Sequence, residues 1–225
     1  DEILTYHTSP EETAAIILEP IQGESGIISL PTKFMKYVQK ICNKHNIMLI
    51  ADEIQCGFGR TGTWWNVTQK NVVPDIMTFG KGIASGFPLA AVVSRKEIMD
   101  SMPIGSLGGT YGGNAIASMA ASATIDVIKN ENLLDNTNTM GNLLNQELKN
   151  MKNIKEIRQH GLMIAIDFGD DSGDTSKKII NKLRDNGILV LSAGINGQYI
   201  RLLPPLNINS FEVSFFLEKF KSIVY

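Results

Sequence analysis

Met48-Leu49-Ile50-Ala51-Asp52-Glu53-Ile54-Gln55 is the stretch that decides the fold. A short apolar run ends in an acid, and the chain then turns away. A second run of the same kind, Asp75-Ile76-Met77-Thr78-Phe79-Gly80-Lys81-Gly82, ends in a lysine ahead of a Gly-rich turn. Residues 14–18 form an earlier apolar run, closed by Glu19-Pro20, and residues 89–94 a later one. Between the first two strands, residues 31–46 have helical spacing. Phe34, Val38, Ile41 and Cys42 share one face, and Thr32 is the expected N-cap. Strand, helix, strand with apolar, β-branched strands predicts an α/β sheet covered on both faces. In such sheets a ligand sits outside the carboxyl ends of the strands. Glu19, Asp52 and Lys81 each fall just past such an end, which groups them on physical grounds.

The pattern changes further on. Residues 114–129 read as a long helix rich in Ala and Ser, and residues 133–151 as an amphipathic one through Leu133, Met140, Leu143, Leu144 and Leu148. Strands are expected at 163–168, 188–191 and 199–203. Helices are expected at 176–186, closed by Gly187, and at 210–224. This reading gives two domains. Residues 1–130 belong to the first, with the 114–129 helix as connector, and residues 131–225 form a smaller α+β domain.

Bulk numbers exclude several classes. The chain has 225 residues, 43% hydrophobic and 20% charged, which suits a soluble globular protein of one large or two small domains. A net charge of −2 gives no electrostatic case for nucleic acid or a membrane surface as partner. No apolar stretch is long enough to span a bilayer, and the first residues lack the basic start and apolar core of a signal peptide. Cys42 and Cys56 lack metal-ligand spacing and read as free thiols in a reducing compartment. No metal site is expected, and His7, His45 and His160 have no partners at ligand or triad spacing. The loop Gly57-Phe58-Gly59-Arg60-Thr61-Gly62 superficially looks like a nucleotide loop. No Gly-Lys-Ser/Thr follows it, so no nucleotide role is assigned.

Five blocks carry a resemblance. They are Leu18-Glu19-Pro20-Ile21-Gln22-Gly23-Glu24-Ser25-Gly26; the Asp52 block through Gly62; the Lys81 block through Phe87-Pro88-Leu89-Ala90; Gly108-Gly109-Thr110-Tyr111-Gly112-Gly113-Asn114; and Ile200-Arg201-Leu202-Leu203-Pro204-Pro205-Leu206. In wording, order and spacing they resemble the class III, or ω-amino acid, aminotransferases, which are fold-type I enzymes dependent on pyridoxal 5′-phosphate (PLP). Within that class the wording is most similar to the 4-aminobutyrate aminotransferases. The resemblance covers nearly the whole chain but only the C-terminal half of a family member. It implies part of the large-domain sheet plus the small C-terminal domain. The phosphate cup and the ring-stacking aromatic are expected upstream of residue 1.

The resemblance also implies roles. Lys81 forms the Schiff base with the cofactor aldehyde and afterwards moves protons; Asp52 keeps the pyridine nitrogen protonated. Ile54 lies against the ring, Gln55 bonds its phenolic oxygen, and Thr110 reaches the phosphate of a partner subunit's cofactor, which implies a homodimer or higher homo-oligomer. Glu19 shapes the substrate pocket. Arg201 binds a substrate carboxylate bidentately, and Glu24 is the gate that pairs with it. The implied reaction is transamination of a 4-aminobutyrate-like ω-amino acid with 2-oxoglutarate as acceptor. The alternatives are an ornithine or acetylornithine aminotransferase, or a non-catalytic remnant that associates with a full-length partner. A cytoplasmic location is expected, with a mitochondrial one left open.

Overall fold

The computed structural model describes residues 2–106 and 108–224. Asp1, Tyr225 and Leu107, the residue just ahead of the Gly108-Gly109-Thr110 motif, lie outside them. The described chain divides into two compact units. Residues 1–20, 30–57 and 65–126 form the first; residues 21–29, 58–64 and 127–225 form the second. The division inferred from sequence is linear, whereas the observed one sends residues 21–29 and 58–64 to the second unit.

The first unit is built on four strands, β1 (Ala15–Leu18), β4 (Met48–Asp52), β5 (Ile76–Phe79) and β6 (Ala91–Ser94), in the order β1-β4-β5-β6. β1, β4 and β5 run parallel, and β6 closes the edge antiparallel to β5. The helix Thr32–His45 covers one face, where Met35, Val38 and Cys42 pack with Leu49, Ala51 and Met77. Its N-cap is Pro31 with no side-chain cap bond, so the expected Thr32 cap is corrected by one residue. Asn46 ends the helix in the left-handed conformation, which Asn tolerates better than most residues. The expectation of cover on both faces is met on one only. Ile17 is 59% exposed and Val92 56% exposed in this chain.

The second unit holds the hairpin β2 (Ile21–Gln22) and β3 (Ile28–Ser29) and an antiparallel sheet of β7 (Glu156–His160), β8 (Met163–Asp167), β9 (Leu191–Ala193) and β10 (Tyr199–Leu202), in the order β7-β8-β10-β9. Alternation gives this sheet two unlike faces. Ile157, Ile164, Ile166, Ile200 and Leu202 pack into the core with the helices Leu133–Lys149, Asp174–Asp185 and Ser210–Val224. Glu156, Arg158, Asp167, Tyr199 and Arg201 occupy the opposite face. The strand expected at 188–191 falls instead at Leu191–Ala193, because pairing with Tyr199–Arg201 sets its register.

Candidate active site

Three sequence-predicted residues meet at one edge of the first sheet. Glu19 follows the end of β1, Asp52 is the last residue of β4, and Lys81 stands two residues past β5. Since β1, β4 and β5 are adjacent and parallel, all three leave the sheet at its carboxyl edge. Asp52 is oriented locally. Its Oδ1 accepts the Ile54 N–H at 3.0 Å and the Thr78 hydroxyl at 3.2 Å, and Thr78 is its register partner on β5. Lys81 is exposed and has a left-handed φ of 46°, uncommon for a residue with a side chain. It opens a short 3-10 turn, Lys81–Ala84, in which Ile83 N–H bonds Gly80 O. A Cβ at Gly80 would stand 3.3 Å from Ile54 Cγ2, so the two loop starts touch beside Lys81. Gln55 is half-buried in the same loop as Ile54. Thr110 stands on an exposed stretch, with no hydrogen bond to the other candidates among the described residues.

Glu53, beside Asp52, was not singled out from sequence. It is buried at 1% exposure, accepts the Val67 N–H at 2.8 Å on Oε1, and takes the Cys56 thiol at 2.9 Å on Oε2. A buried carboxylate with bonds on both oxygens is a rigid anchor for the strand end that carries Asp52. In sequence it reads only as the second acid of Asp-Glu.

Glu24 and Arg201 are brought together in the second unit. Arg201 Nη1 donates to Glu24 Oε1 in an ion pair. The two partners sit in unlike settings, since Arg201 is 7% exposed and the Glu24 side chain 69%. Arg201 Nε is buried with no hydrogen-bond partner among the described residues. A guanidinium out of water with an unused donor has the chemistry to bind a carboxylate. Arg60 is half-buried in the same unit. It donates to the carbonyls of Leu162 and Pro204, and burial lowers its pKa to about 10. It staples the loop 58–62 to one end of this sheet, where the chain enters β8 at Leu162 and leaves β10 at Pro204, which is a structural task. Among the described residues no cluster of His, Cys, Asp or Glu could hold a metal, and no helix is long and apolar enough to cross a membrane.

The carboxyl-edge lysine and acid on an α/β sheet, with a buried arginine on a second unit, define a class of protein that comparison makes explicit. The family model "Aminotransferase class-III" matches residues 2–224, and the chain belongs to that family. The 4-aminobutyrate aminotransferase GabT of Escherichia coli (strain K12) is 42% identical over 222 residues, which cover 94% of this chain and 52% of that protein. The ornithine aminotransferase of Oceanobacillus iheyensis is 41% identical, covering 95% of this chain and 53% of that protein. A solved Bacillus anthracis aminotransferase superposes with a TM-score of 0.90 at 31% identity, covering 99% of this chain and 54% of that one. The chain therefore spans about half the length of the relatives it matches.

Class III aminotransferases are PLP-dependent, and the first unit fits the cofactor. It offers an oriented carboxylate at one strand end and an exposed amine just past the next. The glycines at 82 and 86 leave open space, with nothing within 4 Å of an added Cβ.

Proposed function

We propose that the whole protein transaminates an ω-amino acid of the 4-aminobutyrate type, with 2-oxoglutarate as amino acceptor, as a homodimer or larger homo-oligomer in the cytoplasm. The observation that carries the reading is the Glu24–Arg201 pair, in which a buried guanidinium suited to a carboxylate is covered by an exposed acid. An ω-amino acid and an α-amino acid place their carboxylates differently relative to the reacting amine. A receptor that is covered for one and open for the other serves both. Bound PLP supplies an aldehyde for the amine and a ring that withdraws electrons from the reacting carbon.

The chain's own groups take the remaining tasks. Lys81 Nζ would hold the cofactor and, once released from it, would be the base that moves a proton to and from the reacting carbon. Asp52 would supply the carboxylate that favours a protonated ring nitrogen. Ile54 supplies apolar contact and excludes water from one side of the ring. Gln55 donates to the ring oxygen. Thr110 serves the phosphate of a partner subunit, in keeping with its exposed position. Glu19 bounds the substrate pocket. Buried thiols at Cys42 and Cys56 suit a reducing compartment.

An ornithine-type donor is the second reading, favoured by a relative of that name at nearly the same identity. The test is a comparison of donors in the whole enzyme with 2-oxoglutarate. A kcat/KM for 4-aminobutyrate at least tenfold above that for ornithine or acetylornithine supports the first reading. The reverse order replaces it with the second.

A further inference from the structure

The turn that carries Glu24 is held in a way that the gate reading does not require. Arg158, Ala165 and Arg201 are register partners across β7, β8 and β10, so all three project from one face of the sheet. The small Ala165 separates the two arginines, whose strands lie about 10 Å apart, twice the usual spacing. The hairpin turn 23–27 is bound to this face. Arg158 Nη1 donates to Gly26 O at 3.0 Å, and its guanidinium lies 4.6 Å over the Tyr199 ring. The other nitrogens of the fork are used as well. Nε and Nη2 donate to Glu156 Oε2 at 3.0 and 2.8 Å. Arg158 is therefore satisfied by protein groups, which argues against a second carboxylate receptor.

Two more contacts fix the same turn. Gly194 N–H donates to Glu24 O at 2.8 Å. Gly26 has φ +109°, and a Cβ there would stand 2.3 Å from the Tyr199 ring. The next residue, Ile27, is fully buried with φ 57°, a conformation that a β-branched residue holds only when its surroundings enforce it. The backbone from Glu24 to Ile27 is thus pinned at three points, while the Glu24 side chain is mostly in solvent.

We propose that Arg158, stacked on Tyr199, is a positioning residue for substrate discrimination. It clamps the backbone of the Glu24 turn, so that Arg201 is uncovered by rotation of the Glu24 side chain and not by movement of the turn. The inference rests on the reading of Glu24 and Arg201 given under Proposed function. Freed from the clamp, the turn no longer returns Glu24 to Arg201 when an ω-amino donor is bound. An α-amino donor, which needs Arg201 open, is unaffected.

The test uses the whole enzyme with Arg158→Met, Glu24→Gln and the double variant. Half-reactions with 4-aminobutyrate and with L-glutamate are each followed in single turnover. Arg158→Met should lower the ratio of kcat/KM for 4-aminobutyrate over L-glutamate about tenfold, the scale of one lost charge-assisted hydrogen bond, with L-glutamate changed less than about twofold. Glu24→Gln should lower the same ratio, and Arg158→Met should add nothing on that background. In the enzyme without cofactor, hydrogen exchange of the Ile27 and Gly26 amides should speed up in Arg158→Met and stay unchanged in Glu24→Gln.

Equal losses for both donors, additive effects in the double variant, or unchanged exchange would overturn the clamp. A Glu24→Gln variant with an unaltered ratio would overturn the gate reading itself, which separates the two failures. Should Arg158→Met yield no folded enzyme, Arg158→Lys decides, because lysine cannot span Glu156 and Gly26 together. A fall of about threefold or more in the ratio supports the clamp, and an unchanged ratio overturns it.

Discussion

Lys81 and Arg201 illustrate how differently two cations are used in one chain. Lys81 is exposed on a left-handed turn and makes no ion pair among the described residues. Arg201 is buried and paired. A flexible amine suits covalent chemistry, and a planar fork suits carboxylate recognition. In the whole enzyme, Lys81→Ala should abolish the borohydride-reducible cofactor adduct; an adduct that maps to another lysine would contradict the assignment. Arg201→Lys keeps the charge and loses the fork. The 2-oxoglutarate half-reaction should then fall about tenfold further than the 4-aminobutyrate half-reaction, as read from separate single-turnover rates. Equal losses in the two would count against the carboxylate role.

Elements in the second unit hold their ends by local hydrogen bonding. The helix Asp174–Asp185 is preceded by a turn in which Asp170 accepts from the Ser172 hydroxyl at 2.6 Å, the Ser172 N–H at 3.0 Å and the Thr175 N–H at 2.8 Å. These bonds, Ser172 first and Thr175 next, hold the Asp170 carboxyl well below the usual carboxylate range. A lowered carboxyl value means that the unfolded chain takes up the proton first as pH falls. The stabilisation is complete above the unfolded value of about 4 and is lost as pH drops toward the folded one. Asp170→Asn should therefore lower the melting temperature at pH 7, and the gap from the parent should narrow below about pH 4. Thermal unfolding followed across that range checks this; a constant gap would refute it.

At the scale of the whole chain, apolar surface is the open account. Ile17 and Val92 on the first sheet and Ile116 and Met119 on the helix Ala115–Asn130 are each more than half exposed. Apolar strand faces and helix stripes left in water drive association. Expressed as these 225 residues, the protein should self-associate at micromolar concentration, as measured by sedimentation velocity. A monodisperse monomer of 24.7 kDa would contradict that.

Sequence by itself determined the strands that end before Glu19, at Asp52 and before Lys81, the helix between the first two, and the residues at their carboxyl ends; that these strands pair in parallel came from the structure. Each is a local pattern, since an apolar run closed by Asp52 or Lys81 can be read without knowing what lies beside it. It also carried the resemblance that singles out Glu24 and Arg201. Only the tertiary structure decided that residues 21–29 join the second unit, that 156–160 is a strand, and that Arg158 holds the Glu24 turn. Glu156-Ile157-Arg158-Gln159-His160 contains one apolar residue, and its extended form comes from pairing with Met163–Asp167. The contact from Arg158 to Gly26 joins positions 132 residues apart. Periodicity reports neighbours along the chain, and contacts of that separation leave no trace in it.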